Sequence, residues 1–205
     1  MIVKVCGMRE GGNILAVERT GIDWMGFICY ERSPRHVGPR PSYLPSRCQR
    51  VGVFVNAPIP YIYNKVEELG LTHIQLHGDE SPADCMALRR AGLTVIKAFR
   101  LHDTSDLMQL PPYADACHYY LFDTPGPGYG GTGHAFDWTL LRAYDGTVPF
   151  LLSGGLGPQS LPALSSFAHP QWAGIDLNSG FETSPGMKDA SALDAFVKHF
   201  KTLRL

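Results

Sequence analysis

The sequence predicts an α/β chain that closes into a single-domain (β/α)8 barrel, the TIM barrel. Three observations support this prediction. Eight apolar runs of strand length start 21 to 30 residues apart, which is the length of one strand, one helix and two loops. The runs are nearly continuous in apolar residues, as parallel strands covered on both faces are. The segments between them mostly have the period of amphipathic helices.

The strands are predicted from their length and apolar content. Their bounds are 2–6, 24–30, 51–55, 73–76, 94–99, 119–122, 149–152 and 172–177. Because strand and helix alternate, the strands should be parallel and joined by right-handed crossovers. An open doubly wound sheet is built from the same units and is the alternative to the closed barrel.

The helices are predicted from apolar residues on a 3.6-residue period. The clearest stripe, in the last segment, consists of Leu193, Phe196, Val197, Phe200 and Leu203. Shorter stripes follow the third strand (Ile62, Val66 and Leu69) and the fourth (Cys85 and Leu88). Prolines interrupt the second and fifth connections, so we expect short or irregular helices there.

The length and composition predict one globular domain over residues 1–205. A typical domain has about 150 residues, so 205 residues are too few for two full domains. The chain is also at the small end of the size range of such barrels. The chain is 44% hydrophobic and 18% charged, which excludes an intrinsically disordered protein. Glycine and proline are abundant, at 22 and 16 residues, as a fold with many turns requires.

The charge and the cysteines narrow the class of protein further. A net charge of -1 gives no basic field for nucleic acid or an anionic membrane surface. No leader pattern opens the sequence and no apolar run is long enough to span a bilayer. The five cysteines have neither zinc-site nor disulfide-scaffold spacing. We therefore expect a soluble cytoplasmic protein with no nucleic acid or membrane partner, in which any anionic ligand is bound by a local site.

Two glycine-containing loops follow the seventh and eighth strands and predict a phosphate site. They are SGGL at 153–156 and NSG at 178–180. Small residues let backbone N–H groups approach a phosphate, and a following helix N-terminus adds a favourable dipole. Barrel phosphate sites commonly lie in these two loops. The alternative is that the glycines only form tight turns.

Other polar residues stand where the strands end, which is where barrel enzymes carry their chemistry. Cys6 is either a thiolate base or a small buried hydrophobe. Asp123 follows an apolar strand, so desolvation should raise its pKa and suit it to donate a proton, unless it only caps a turn. Arg35 either binds a carboxylate or is solvated. His77 either lines the pocket or pairs with Gln75.

The connection after the sixth strand carries two further predictions. Residues 124–133 contain five glycines and two prolines, which is typical of a mobile loop that covers a ligand. Asp137 should cap a helix that begins at about Trp138.

Eight segments in this order resemble the phosphoribosylanthranilate isomerase family from end to end. They are KVCGM, GFICYERSPRHV, VGVFVN, IQLHGDE, VIKAFR, LFDTPGPGYGGTGHAFDW, FLLSGGLGP and GIDLNSGFETSPGMKD. The chain departs from the family pattern at Met8-Arg9, Asn178-Ser179 and Phe181, which affects loop detail. The resemblance implies an Amadori rearrangement of N-(5-phosphoribosyl)anthranilate in tryptophan biosynthesis, without metal or organic cofactor.

The resemblance also implies roles for individual residues. The family's general base falls on Cys6, its general acid on Asp123 and its anthranilate-binding arginine on Arg35. Phosphate binding falls on backbone groups of Gly154, Gly155, Ser179 and Gly180. Asp176 is similarly placed near the sugar hydroxyls, and His77 is expected in the substrate pocket.

Three rival functions remain from the sequence. The isomerase of histidine synthesis resembles a two-carboxylate enzyme with an acid where this chain has Cys6. Indole-glycerol-phosphate synthase relies on strand-end lysines and glutamates, of which only Lys97 is a partial match. A barrel that binds a phosphorylated metabolite as a sensor is less consistent with the presence of both Cys6 and Asp123. The sequence does not decide between a monomer and a homodimer.

Overall fold

Eight parallel strands form a closed barrel in the computed structural model, which describes residues 1–124 and 137–203. They are β1 (Ile2–Val5), β2 (Trp24–Ile28), β3 (Gln49–Phe54), β4 (His73–Leu76), β5 (Thr94–Arg100), β6 (Tyr119–Asp123), β7 (Phe150–Leu152) and β8 (Trp172–Leu177). Each strand pairs with the next, and β8 pairs with β1. The predicted barrel is confirmed, with strand ends within two residues of the predicted bounds.

Five α-helices cover the described part of the barrel. They are α1 (Gly11–Glu18), α2 (Ile59–Leu69), α3 (Pro82–Arg90), α4 (Leu161–Ser166) and α5 (Ala190–Thr202). The connection after β2 has no helix, and the one after β5 has only the 3-10 turns Thr104–Gln109 and Pro111–Tyr113. Both irregular connections are as predicted, because proline removes a backbone donor and clashes with the preceding turn.

The helices are held by the apolar stripes that the sequence contains. Leu193, Phe196, Val197 and Phe200 of α5 are all buried, and so are Ile62 and Leu69 of α2 and Cys85 and Leu88 of α3. Burying one such side chain contributes about 1.5 to 3 kcal/mol. These contacts fix the outer layer against the strands, which keeps the strand ends at the barrel mouth in a constant geometry.

A separate cluster of side chains fills the barrel interior. It consists of Trp24, Val51, Ile96, Ala98, Leu121 and Leu151. Successive residues of a strand point to opposite faces, so the inward positions continue from Leu121 to Asp123 and from Leu151 to Ser153. The apolar cluster therefore forms a floor, and polar side chains lie above it at the mouth.

Two short elements outside the barrel matter for the site. After β8 the chain forms a 3-10 turn, Ser179–Phe181, and then the hairpin β9 (Glu182–Ser184) and β10 (Met187–Lys188).

Asp137 accepts a hydrogen bond from the N–H of Thr139 and caps the 3-10 turn Trp138–Ala143, which confirms the predicted cap. The predicted loop over 124–133 lies outside the described residues except for Thr124. No helix in the described ranges is long and apolar enough to cross a membrane.

Candidate active site

The carboxyl ends of the strands surround one cavity that opens to solvent. Eight of the nine predicted site residues line it: Cys6, Arg35, His77, Asp123, Gly154, Gly155, Asp176 and Ser179. Gly180 does not; it is exposed, and a Cβ at this position would overlap the carbonyl oxygen of Leu156. Gly180 therefore allows the loops after β7 and β8 to pack against each other.

Cys6 follows the last residue of β1 and lies against Gly26 of β2. It is 3% exposed. Burial raises the pKa of its thiol, and the cations Lys4 and Lys188 offset this only in part. The raised pKa keeps Cys6 as a protonated thiol, and only the thiolate form of a cysteine is reactive.

Asp123 ends β6 and is buried, but its pKa is not raised as the sequence predicted. Burial alone would raise it, yet the His77 imidazole, the N–H of Thr124 and the Ser153 side chain together hold the pKa of Asp123 below its ordinary value. The Thr124 N–H donates to Oδ1 at 2.9 Å. The prediction was wrong because partners that favour the charged form outweigh desolvation.

His77 connects Asp123 to Gln75. The Gln75 amide nitrogen lies 2.9 Å from His77 Nδ1, and His77 Nε2 lies 3.3 Å from Asp123 Oδ2. Nδ1 therefore faces the Gln75 amide, and Nε2 is the ring nitrogen that faces Asp123. The second contact is of ion-pair length without hydrogen-bond geometry. Both readings of His77 therefore hold, because it lines the cavity and also contacts Gln75.

Arg35 reaches the cavity from the long connection after β2, and its guanidinium is bound by Glu182 of β9. Nε lies 2.9 Å and Nη2 2.8 Å from carboxylate oxygens of Glu182. Glu182 also accepts a 2.6 Å bond from Lys188, whose ammonium donates to Asn178 as well. Burial would raise the pKa of Glu182, but Arg35 and Lys188 lower it. Arg35 is thus a positioned cation and not a solvated one.

Asp176 and Lys4 form a buried ion pair beneath Cys6. Lys4 is paired with Asp176 in the register of β1 and β8, and Lys4 Nζ lies 2.8 Å from Asp176 Oδ1. Burial raises the pKa of Asp176, with Lys4 acting in the opposite direction. Burial alone would lower the pKa of Lys4, but Asp176 and Cys6 raise it. Lys4 is therefore held as an ammonium inside the barrel.

The glycine loops after β7 and β8 present backbone N–H groups to the cavity. Gly154 has φ +85°, and a Cβ there would lie 2.7 Å from the backbone nitrogen of Thr124. Among the described residues the N–H groups of Gly154, Gly155 and Ser179 have no acceptor. The helix expected after the first loop, α4, begins only at Leu161, behind the 3-10 turn Pro158–Ser160, and the second loop leads into the 3-10 turn Ser179–Phe181. Backbone N–H groups without acceptors are the feature by which such loops can bind an anion.

Sequence reasoning missed three charged residues of this site: Lys4, Glu182 and Lys188. Lys4 was detectable, since it stands two residues before Cys6 in a strand and must share its face. Glu182 and Lys188 belong to the quoted segment GIDLNSGFETSPGMKD, but their meeting with Arg35 depends on the hairpin. In residues 1–124 and 137–203, no group of three or more histidine, cysteine, aspartate or glutamate side chains is arranged to hold a metal.

Comparisons with known proteins agree with this geometry. The model of the N-(5'-phosphoribosyl)anthranilate (PRA) isomerase family matches residues 3–199. The N-(5'-phosphoribosyl)anthranilate isomerase of Phocaeicola vulgatus is 55% identical over 98% of both chains. The crystal structure of the Thermotoga maritima phosphoribosyl anthranilate isomerase is 33% identical, with a TM-score of 0.87 over 98% of this chain and 100% of that one.

A further structure is a phosphoribosyl anthranilate isomerase in complex with reduced 1-(o-carboxyphenylamino)-1-deoxyribulose 5-phosphate. It is 30% identical, with a TM-score of 0.83 over 98% of this chain and all of that chain. A closed barrel of eight parallel strands with a pocket at the carboxyl ends of the strands is typical of TIM-barrel enzymes. Within that class, the chain belongs to the PRA isomerase family and is an isomerase.

Proposed function

We propose that the protein converts N-(5-phosphoribosyl)anthranilate to 1-(2-carboxyphenylamino)-1-deoxyribulose 5-phosphate, an Amadori rearrangement of tryptophan biosynthesis. The observation that carries this proposal is the composition of one cavity. It holds a thiol from β1 and a carboxylate from β6, between a fixed arginine and unbonded loop amides. The reaction needs one acid, one base and anchors for two anionic groups, and it needs neither metal nor organic cofactor.

The phosphate binds to the loops after β7 and β8. The N–H groups of Gly154, Gly155 and Ser179 supply donors to the phosphate oxygens, and Gly180 keeps the two loops close enough to act together. Backbone donors hold an anion without a buried cation, so the protein's net charge of -1 is no obstacle.

Arg35 binds the anthranilate carboxylate. Glu182 occupies Nε and Nη2 and fixes the plane of the guanidinium, and Nη1 has no hydrogen-bond partner among the described residues. An arginine held in this way presents its remaining edge at little entropic cost. Lys188 shares Glu182 and so keeps the carboxylate from fully neutralising Arg35.

Asp123 is the general acid. Ring opening requires a proton on the furanose oxygen, and Asp123 donates it. Its lowered pKa means that the free protein holds it mostly as a carboxylate. Binding a substrate with a phosphate and a carboxylate brings negative charge into the cavity, which raises the pKa of Asp123 and favours its protonation.

Cys6 is the general base. Ring opening yields a Schiff base whose positive charge acidifies the C2 proton, and the Cys6 thiolate removes that proton. The enolamine then tautomerises to the ketose. The iminium charge stabilises the thiolate at the moment it is needed, which offsets the effect of burial on the thiol.

Asp176 and His77 contact the sugar. Lys4 binds Oδ1 of Asp176, so the second carboxylate oxygen remains to accept a hydrogen bond from a ribose hydroxyl. His77 lines the same cavity beside Asp123. Both roles are binding roles and neither transfers a proton in this mechanism.

The test is an assay with purified full-length protein and PRA in the presence of a metal chelator. We expect the fluorescence of PRA to disappear far faster than in the buffer alone, with the ketose product identified by nuclear magnetic resonance. Loss of fluorescence at the spontaneous rate, or a requirement for an added metal, would refute the proposal.

A further inference from the structure

The buried thiol of Cys6 is surrounded by charged side chains. From its own strand it faces Lys4, from β8 it faces Asp176 and from β10 it faces Lys188. On the β2 side it packs against Gly26, which brings no side chain. Two ammonium groups and one carboxylate therefore act on one sulfur atom inside a barrel.

Of these charged groups, Lys4 is the nearest to Cys6 in the sequence. It lies two residues before Cys6 on the same inward face, is 0% exposed and donates a hydrogen bond to Asp176, and its positive charge acts to lower the pKa of the Cys6 thiol. An ammonium buried to this degree requires an anion beside it. In the resting protein that anion is Asp176, at 2.8 Å.

We propose that Lys4 is a positioning residue that stabilises the thiolate of Cys6, and that Asp176 competes with Cys6 for the same ammonium. When the S–H bond of Cys6 breaks, the proton leaves to water in the cavity and the electron pair remains on sulfur. The Lys4 ammonium balances the new negative charge on sulfur, and it does so from its place beside Asp176. A substrate hydroxyl that donates a hydrogen bond to Asp176 weakens the ion pair between Asp176 and Lys4. The Lys4 ammonium can then interact more strongly with the Cys6 thiolate.

The alternative is that Lys4 and Asp176 only stabilise the barrel as an ion pair. The two possibilities predict different signs for single substitutions. If Lys4 acts on the sulfur, Asp176→Asn removes the competitor and lowers the pH at which Cys6 ionises, whereas Lys4→Met raises it. If the pair is only structural, both variants loosen the same packing and change the accessibility of Cys6 in the same direction.

The measurement is the pH dependence of alkylation of Cys6 by iodoacetamide in the full-length protein, with the modified cysteine identified by peptide mass spectrometry. Only the thiolate reacts, so the midpoint of the rate reports ionisation of the thiol. The decisive comparison is Asp176→Asn against Asp176→Asn/Lys4→Met. In this pair Lys4 is removed without leaving a buried carboxylate unpaired, which keeps both proteins comparable in folding.

We expect the midpoint of the double variant to lie about one pH unit or more above that of Asp176→Asn, a tenfold change in thiolate fraction. The matched control is Glu80→Gln against Glu80→Gln/Lys97→Met. Lys97 is likewise a buried strand lysine with a buried carboxylate partner, at 3.4 Å, and it does not act on Cys6. The control pair should share one midpoint.

Equal midpoints for Asp176→Asn and its Lys4→Met double variant would overturn the inference, and so would an equal shift in the control pair. The inference rests on the proposed role of Cys6, but the two fail separately. If Cys6→Ser retains full turnover of PRA, the proposed function of Cys6 fails whatever the alkylation profiles show. If turnover requires Cys6 and the midpoints coincide, only the role of Lys4 fails.

Discussion

The two sides of the barrel mouth treat a buried acidic group in opposite ways. On the β1 and β8 side, Cys6 is surrounded by the ions Lys4 and Asp176, and its pKa stays above the ordinary value. On the β4 and β6 side, Asp123 contacts His77 and its pKa falls below the ordinary value. Burial acts in the same direction at both groups. The difference lies in the partners, because the ammonium groups of Lys4 and Lys188 form ion pairs with Asp176 and Glu182, whereas His77 lies at ion-pair distance from Asp123 alone among the described carboxylates.

The comparison shows that each group rests in the opposite protonation state from the one its proposed role requires. The resting protein holds a Cys6 thiol and an Asp123 carboxylate, while the reaction needs a Cys6 thiolate and an Asp123 acid. The two forms carry the same number of protons and the same net charge. Entry of the substrate therefore has only to move one proton between two sites, without changing the charge of the cavity walls.

The largest effect is expected from Asp123→Asn. The amide cannot donate the proton that opens the ring, so kcat should fall about 10³- to 10⁴-fold, at the upper end of what one acid contributes. Affinity for the product, measured by titration calorimetry, should change little because the anion contacts remain. Asp194→Asn, on the exposed face of α5, is the control. An equal loss of binding and turnover would make Asp123 a structural residue.

Cys6→Ser tests the other side of the mouth. An alkoxide is far harder to form than a thiolate, so kcat should fall about 10²- to 10³-fold. Cys48→Ser changes a cysteine outside the cavity and should leave kcat unchanged. Near-normal turnover in Cys6→Ser would remove Cys6 as the base and leave only the acid side of the comparison.

Arg35→Ala tests the proposed carboxylate-binding cation, which lies on neither the Cys6 side nor the Asp123 side of the barrel mouth. The loss of a charge-assisted contact should weaken substrate binding by about 1.5 to 3 kcal/mol. The fold should survive, since Glu182 keeps its bonds to Lys188 and to the N–H of Gly186. Inhibition constants for product analogues with and without the carboxylate measure this effect, and Arg40→Ala is the surface control. If both analogues lose affinity equally, Arg35 does not bind the carboxylate.

His77→Asn tests why the pKa of Asp123 is low, and its effect is the smallest. Removal of the imidazole should raise the pKa of Asp123 and move the acidic limb of the pH profile of kcat/KM to higher pH by about one unit or less. The lowered pKa also contributes stability that is present above the unfolded-state value of about 3.9 and is lost as the pH falls through the folded value. Urea unfolding across acidic pH should show a smaller loss in His77→Asn.

An exposed histidine provides the control for this variant. His102 lies near Asp106 and away from Asp123, so His102→Asn should leave the acidic limb in place. An unmoved limb in His77→Asn as well would assign the low pKa of Asp123 to its contacts with Thr124 and Ser153.

The sequence predicts the barrel and most of the site because both depend on local patterns. The apolar runs determine the strands, and residues such as Cys6 and Asp123 stand at strand ends by position alone. The charges that tune the site are different, because Arg35 and Glu182 are 147 residues apart and Lys4 and Asp176 are 172 apart. Only the closed barrel brings these pairs together. It also brings His77 and Ser153 to Asp123 from the ends of other strands, so the direction of the pKa of Asp123 could not be predicted from its neighbours in the chain.

The dependence of kcat/KM for PRA on pH tests the exchange of protonation states most directly. With Cys6 as thiolate and Asp123 as acid in the active form, we expect a plateau around neutral pH, a fall on the acidic side set by Asp123 and a fall on the alkaline side set by Cys6. Activity that rises tenfold per pH unit through the alkaline range would contradict this, because it would mean that ionisation of the thiol alone activates the enzyme.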